Sequence, residues 1–309
     1  EGPRLGRRCV VSNVESGTAD GKTVEKNRFL GLKRAWYKFS LNKTSVLGLC
    51  IIVLVAVCAI FQPWLAPYPE HAGAYADFTN ANRPPCAEFL LGTDGVGRDI
   101  LSRIMYGFRG AFTLGLGCLA LVVPVGVILG LAAGYFRGKW ISTLIMRVTD
   151  VFLSIPPLVM ALSVCAILRP TLFNSLLAVS VSWWTWYCRL VYGMSTSLRN
   201  EMYIKSAELI GASRGHILFR EILPNCFGAV FTKMTLDMGW IILTGASLGF
   251  VGMGEQPPTP SLGTMVADGA KYLPAQWWVA IFPAIAIMII VLGFNLLGDG
   301  VKDMLSSEE

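Results

Sequence analysis

The chain is predicted to be an all-α membrane protein with six transmembrane helices and both termini in the cytoplasm. Three observations predict this. Of 309 residues, 54% are hydrophobic and only 15% charged, against about a quarter charged in a soluble domain. The charges cluster in short islands between long apolar runs. Lys and Arg concentrate in alternate islands, which sets an orientation.

Six runs approach the roughly 20 apolar residues that a span needs. Ser45–Pro69 is charge-free, with Val46–Leu65 at its core. Gly110–Phe136 is also charge-free, and Ile141–Leu168 carries only Arg147, Asp150 and no other charge. Leu172–Leu198 carries Arg189, Asn225–Met253 carries Lys233 and Asp237, and Tyr272–Gly298 carries none. A helix satisfies its own backbone hydrogen bonds, so it suits a setting without water. Residues 1–43 hold ten Lys and Arg, the loop 66–108 three (Arg83, Arg98, Arg103) against five acids, and the loop after the fifth run only Lys271. The second inner island has Arg137 and Lys139, and the third has Arg199, Lys205, Arg214 and Arg220. The N-terminal tail, the loop between spans 2 and 3 and the loop between spans 4 and 5 therefore face the cytoplasm.

The chain divides accordingly. Residues 1–43 form a cytoplasmic tail, 44–65 the first span, 66–109 an extracytoplasmic loop, 110–300 a core of five spans and 301–309 a cytoplasmic tail. Within the tail, 26–42 spaces Phe29, Leu30, Leu32, Trp36, Tyr37 and Phe39 as an amphipathic helix lying on the inner membrane face, or as an extension of span 1. Residues 1–25 look unstructured. The chain opens on Glu1, which reads as a trimmed or renumbered start, and the polar residues ahead of span 1 have no secretory-signal pattern. The basic tail beside a span is an orientation signal touching anionic lipid, not a nucleic-acid arm.

Several chemistries are disfavoured. The eight cysteines form no CxxC pair and sit mostly in apolar runs, with Cys86 alone in a long polar loop; they read as packing residues. No Walker A pattern and no HExxH occurs, so neither phosphate-loop ATP binding nor that zinc chemistry is expected, and no metal site or catalytic residue is assigned. The stretch Gly245-Ala-Ser247-Leu-Gly249 matches the hydrolase G-x-S-x-G, but it lies inside an apolar helix, and His71 and His216 fall on opposite sides of the membrane. Close helix packing is the better reading. Gly126, Gly130 and Gly134 make two successive GxxxG units, a surface for close approach of another span of this chain or a partner.

Charges inside spans need a partner or a wet cavity. Arg147 and Asp150 are expected to neutralise each other near an interface. Lys233 and Asp237 pair at i,i+4. Asp237 lies about 13 residues, or roughly 20 Å, above Pro224, deep enough for Lys233, Asp237 and, more weakly, Arg189 to line a polar path. The run Gly92–Arg98 is a tight turn capping the helix into span 2.

The inner loop Glu201–Pro224 is the most informative segment. Residues 201–210 are helix-compatible, Gly211–Gly215 turn the chain, and His216–Leu223 lead to Pro224 in the first turn of span 5. Two short helices at an angle would make a rigid cytoplasmic knob, with Ala207, Gly211, Ala212 and Ser213 small enough for another protein to approach. An interfacial helix resting on lipid is the alternative.

This loop resembles the EAA signature of ABC importer permeases: Glu-Ala-Ala, three residues, Gly, nine residues, then I-x-L-P. Lys205-Ser206-Ala207 stand where Glu-Ala-Ala is usual, Gly211 matches the Gly, Leu223–Pro224 match the end, and Glu221 replaces the Ile. From about residue 33 the chain is similar to the C subunit of the dipeptide/oligopeptide/nickel importer permeases. The blocks are Trp64-Leu-Ala-Pro-Tyr68, Leu91-Gly-Thr-Asp-Gly-Val-Gly-Arg-Asp-Ile-Leu-Ser-Arg103, Met146-Arg-Val-Thr-Asp150 with Pro156, Gly249-Phe-Val-Gly252, Gln256-Pro-Pro-Thr-Pro260 with Gly263, and Asn295-Leu-Leu-Gly-Asp-Gly300.

The resemblance implies the type I importer permease fold in a bacterial or archaeal cytoplasmic membrane. It implies a homologous B subunit, two ATPase subunits carrying ATP and Mg, and an extracytoplasmic solute-binding protein seated partly on 66–103. It implies that Tyr203, Lys205, Ser206, Ala207, Glu208, Gly211, Ala212, Ser213, Leu223 and Pro224 form the ATPase-coupling surface. An ATP-independent transporter or an intramembrane hydrolase is the rival class; no internal repeat supports the former.

Overall fold

A computed structural model of the chain describes residues 36–305. The described residues fold as helices joined by turns and one long irregular segment, 66–99, with no strand beyond an isolated bridge between Thr93 and Asp99. Only residues 36–42 of the expected amphipathic helix fall in this range; 36–41 are helical, with Trp36 stacked on Phe39 at 5.7 Å, and Asn42 breaks the helix as the N-cap of the next one. The remainder of that expectation, and Cys9, lie outside the described residues.

The main helices are α1 (Lys43–Ile60), α2 (Ile100–Tyr135), α3 (Trp140–Leu153), α4 (Pro157–Ile167), α5 (Leu172–Leu198), α6 (Met202–Leu209), α7 (Leu223–Phe250), α8 (Leu262–Ala270) and α9 (Trp278–Leu305). Four described helices are long and apolar enough to cross a membrane: α1, α2, α9 and the run Arg214–Phe250 that ends in α7. A fifth arises if α3 and α4 count as one broken span. At 27 residues α5 has the length but lacks that apolarity, because its Ser175, Ser182, Thr185 and Ser195 are buried against neighbouring helices. A helix sheathed by protein does not need an apolar surface all round.

The core is the α2–α5 pair, two helices that run parallel with α3 and α4 between them in sequence. Gly126, Gly130 and Gly134 face α5, so the GxxxG partner lies within this chain. A Cβ on Gly130 would stand 2.6 Å from the Cys188 carbonyl oxygen and 2.9 Å from Val191 Cβ. The backbones are therefore in contact, and Tyr187, Cys188 and Val191 are fully buried between them. A second layer packs α7 on α9, and α9 on α1 and α8.

Three expectations change. The expected third span is broken: α3 and α4 meet at 84°, because Pro156 and Pro157 exclude Ile155 from helix and remove two N–H donors. The second span begins at Ile100, not Gly110, with its first turn capped by the Asp99 carboxylate, which accepts from Ser102 N at 2.8 Å. The last helix starts at Trp278 and runs to Leu305, so the expected tail from residue 301 begins inside it. Between α7 and α9 lies α8, an apolar helix of nine residues too short to announce itself as a span.

Candidate functional site

The knob is built from α6, a Gly211 turn, and a helical run that does not stop before α7. Glycine is required at residue 211 by its backbone, with φ +88, and not by crowding, since a Cβ there would meet nothing within 4 Å. This left-handed residue closes a Schellman cap: Ala212 N–H donates to Ala207 O at 3.0 Å and Gly211 N–H to Glu208 O at 3.1 Å. Ala207 and Ala212 are partly buried against the core. Ser213 caps the next helix, its Oγ accepting from His216 N at 3.3 Å.

The second short helix is not separate. Arg214–His216, a π-helical turn Ile217–Ile222 and α7 form one 37-residue run. Pro224 lacks an N–H and its ring would clash with the carbonyl four residues back. The widened turn, closed by Leu223 N–H donating to Leu218 O, absorbs that mismatch without breaking the helix. Motion at the knob therefore passes into α7 along a continuous helix.

Three fully buried isoleucines, Ile204, Ile217 and Ile222, fasten the knob to the body. Tyr135 Oη at the end of α2 donates to Glu208 Oε1 at 3.1 Å. Asn225 Nδ2 donates to Tyr203 Oη at 3.3 Å and to Glu221 O at 2.6 Å. Ser206 Oγ bonds back to Met202 O, and Lys205 is exposed. The tip is different. Leu209 and Ile210 are 89% and 87% exposed, two large apolar side chains held out at the end of a capped helix. Sequence reasoning did not single them out, because two apolar residues ending a helical run look like its buried face. Spacing from Gly211 alone does not tell which way they point.

The charges within the spans also find their places. Lys233 Nζ donates to Asp237 Oδ1 at 3.1 Å, as expected. Arg147 and Asp150 do not pair: Arg147 is exposed, while Asp150 Oδ1 meets Arg189 Nη2 on α5 at 3.2 Å. At i,i+3 the helix face allowed the local pair, but a cross-helix cation was nearer. The Arg189 and Asp150 side chains stay 55% and 42% exposed, although Arg189 sits nine residues, or about 13 Å, from the C-terminal end of α5. Charges this exposed at this depth belong in water or against protein, not in lipid. Trp186 links the two pairs: it lies one turn from Arg189 on α5, and Lys233 Nζ stands 5.5 Å from its ring. A groove of about 720 Å3 runs beside Lys233 and Asp237, bounded by Leu190, Met194, Thr232 and Trp240. Arg189, Lys233 and Asp237 are thus gathered on neighbouring elements, with Asp150 and Trp186 added.

By contrast Ser247 Oγ bonds back to Leu243 O at 2.9 Å. His71 is buried in the outer segment and His216 meets Glu221 at 3.5 Å, so neither serves Ser247. Gly249 sits against the backbone of Gly263 and Thr264, which is the helix packing expected of this stretch.

The outer segment folds around Asp94, whose carboxylate accepts from the backbone N–H of Val96 and Arg98 and from Arg98 Nε. His71 stacks between Tyr68 and Tyr75, and its Nδ1 accepts from Asp99 N–H at 2.8 Å. Burial holds the His71 imidazole below its usual value, outweighing the pull of Glu70, Asp99 and Asp94. A depressed folded-state value means that stability is full above the unfolded value of 6.5 and declines as pH falls below it. Protection of the Asp99 amide from hydrogen exchange, taken relative to the intrinsic rate at each pH, is expected to fall as pH drops below 6.5, and a His71→Asn variant to flatten that profile; an unchanged profile in the variant would refute the assignment.

A helical body with spans long and apolar enough to cross a membrane, a knob fastened to one end of a long helix, and paired charges within the spans are features of a transport permease. The chain belongs to the family of binding-protein-dependent transport system inner membrane components, which matches residues 126–308. Residues 32–85 match the N-terminal TM domain of oligopeptide transport permease C. It is 42% identical over 281 residues to the dipeptide transport system permease protein DppC of Escherichia coli (strain K12), covering 89% of this chain and 92% of that protein. It is 38% identical to the di/tripeptide transport system permease protein DppC of Pseudomonas aeruginosa (89% and 91%). It is 34% identical to the oligopeptide transport system permease protein OppC of Bacillus subtilis (94% of each). Among solved structures, the fold is similar to a chain of the inward-facing MetNI methionine ABC transporter, with TM-score 0.51, 17% identity, and coverage of 66% of this chain and 94% of that one.

Proposed function

We propose that this chain is the C-type permease subunit of an ABC importer for short peptides in a bacterial cytoplasmic membrane. It crosses the membrane six times, α3–α4 and α5 each counting as a span, with both termini inside. It pairs with a homologous B subunit, docks two ATPase subunits that carry ATP and Mg, and receives solute from an extracytoplasmic binding protein resting on residues 66–103. The chain itself binds no nucleotide. The peptide class is supported by the relatives at 38–42% identity. The observation that carries the coupling role is the exposed Leu209–Ile210 tip of α6, one glycine turn away from the run Arg214–Phe250 that contains α7. The ATPase groove grips α6, with Lys205 and Ser206 flanking the grip, and α7 carries the displacement to Lys233 and Asp237. Reconstitution with the three partner types tests the reading. ATP-dependent uptake of a labelled dipeptide is expected, and uptake that persists without the ATPase subunits would sink it.

Arg189, Lys233 and Asp237 line the inner half of the path. Breaking one partner of a buried pair costs about 3–5 kcal/mol, whereas replacing both is close to neutral. Asp237→Ala is therefore expected to lower membrane abundance and uptake together. Lys233→Met with Asp237→Leu is expected to recover abundance but leave uptake at least about tenfold down. Recovery of both in the double variant would make the pair purely structural.

A further inference from the structure

The root of the knob holds a second pocket, apart from the exposed Leu209–Ile210 tip. It measures about 270 Å3 and is lined by Arg137, Arg199, Lys205, Thr196, Asn200 and Glu208, with Gly134 as its floor. Three cations face one carboxylate there. Glu208 already accepts from Tyr135 Oη, and Arg199 Nη1 donates to Tyr135 O. Arg137 and Lys205 are exposed, and among the described residues neither takes part in an ion pair. Thr196 Oγ1 is buried at the pocket wall with no hydrogen-bond partner. A hydroxyl left in that state marks a place where a ligand oxygen or water belongs.

The level of the pocket decides the ligand. It sits at the inner ends of α2 and α5, beside the short turn into α3. That turn carries Lys139 and Trp140, and Trp140 is 73% exposed. Basic residues with an exposed Trp at a helix end mark the headgroup layer of the inner leaflet. We propose that this pocket binds the phosphate of an anionic phospholipid, with Arg137, Arg199 and Lys205 as the cationic wall and Thr196 Oγ1 as an additional donor. The site accounts for Lys205 standing where relatives of this loop usually carry Glu: an acid there would leave two cations facing two carboxylates. Because Lys205 belongs to α6 and Arg137 and Arg199 to the membrane body, a bound phosphate ties the knob to the bilayer surface and stiffens the lever. The lipid site stands on the pocket's own chemistry, independent of which solute is carried.

The assembled complex, purified in mild detergent and presented with equal phosphatidylglycerol and phosphatidylcholine, tests this by native mass spectrometry. Selective retention of phosphatidylglycerol is expected. Each lost cation is expected to reduce the selectivity roughly fivefold, in Arg137→Gln and, more strongly, in Lys205→Glu, while Lys271→Gln on the outer side leaves it unchanged. Excess inorganic phosphate is expected to displace little lipid. Equal retention in wild type and Arg137→Gln overturns the proposal. So does full displacement by free phosphate, which makes the site one for a soluble anion. Loss of ATPase association in Arg137→Gln with lipid retention unchanged also overturns it, since an acidic segment of the ATPase is then the occupant.

Discussion

Replacing Leu209 and Ile210 together by Asp is expected to abolish uptake and detach the ATPase subunits while leaving the permease folded. Both side chains are nearly fully exposed, so the change removes almost no packing within the chain. In a docked complex each would bury an apolar side chain worth about 1.5–3 kcal/mol. Losing two, and placing carboxylates in their stead, lowers affinity by roughly two to four orders of magnitude. Co-purification of the ATPase, measured beside the thermal transition of the permease, separates docking from folding. A variant that keeps the ATPase and transports normally would remove the tip from the coupling surface. Gly211→Ala is a milder companion. It forces a Cβ onto a left-handed residue at a cost of about 1 kcal/mol, so partial loss of uptake is expected.

The second large effect lies in the α2–α5 pair. Gly130→Leu sets its Cβ against the Cys188 carbonyl and Val191, where backbone cannot yield as a side-chain tip would. Overpacking of this kind is expected to cost at least about 4 kcal/mol, enough to empty the membrane of folded protein. Gly193→Ala on α5 is the matched control. Nothing lies within 4 Å of its Cβ, so abundance is expected to be unchanged or slightly raised by the gain in helix propensity. Membrane abundance of the two variants settles whether close backbone contact, and not glycine content, holds the two helices together.

Much of this architecture was legible in the residues. The glycine triplet announced a close helix contact because only a missing Cβ permits it, and four-residue spacing puts all three on one face. The Lys233–Asp237 pair followed from i,i+4 geometry inside an apolar run. Gly211 read as a turn because its neighbours are small and polar. What was not legible has identifiable causes. Pro156 and Pro157 carried the signal for the break between α3 and α4, yet the run around them is apolar enough to mask it. The start of α2 was hidden because Arg103 and Arg109 interrupt the apolar count, although Arg103 is buried, with its guanidinium donating to the carbonyl of His71. Asp150 found Arg189 and not Arg147 because sequence proximity does not rank cross-helix partners. Pro224 was read as a helix start, whereas a π-helical turn lets one helix run through it. The outward aim of Leu209 and Ile210 depends on how three distant isoleucines seat the knob, which no local pattern encodes.

The central claim is that the α6 tip is held by the ATPase and that α7 carries its motion. A photoreactive amino acid at position 209 in the assembled importer tests it most directly. Irradiation is expected to give a covalent adduct with the ATPase subunit, while the same probe at Trp64, at the outer end of the first span, gives none. Adducts from position 209 confined to lipid, or equal ATPase labelling from both positions, would contradict it.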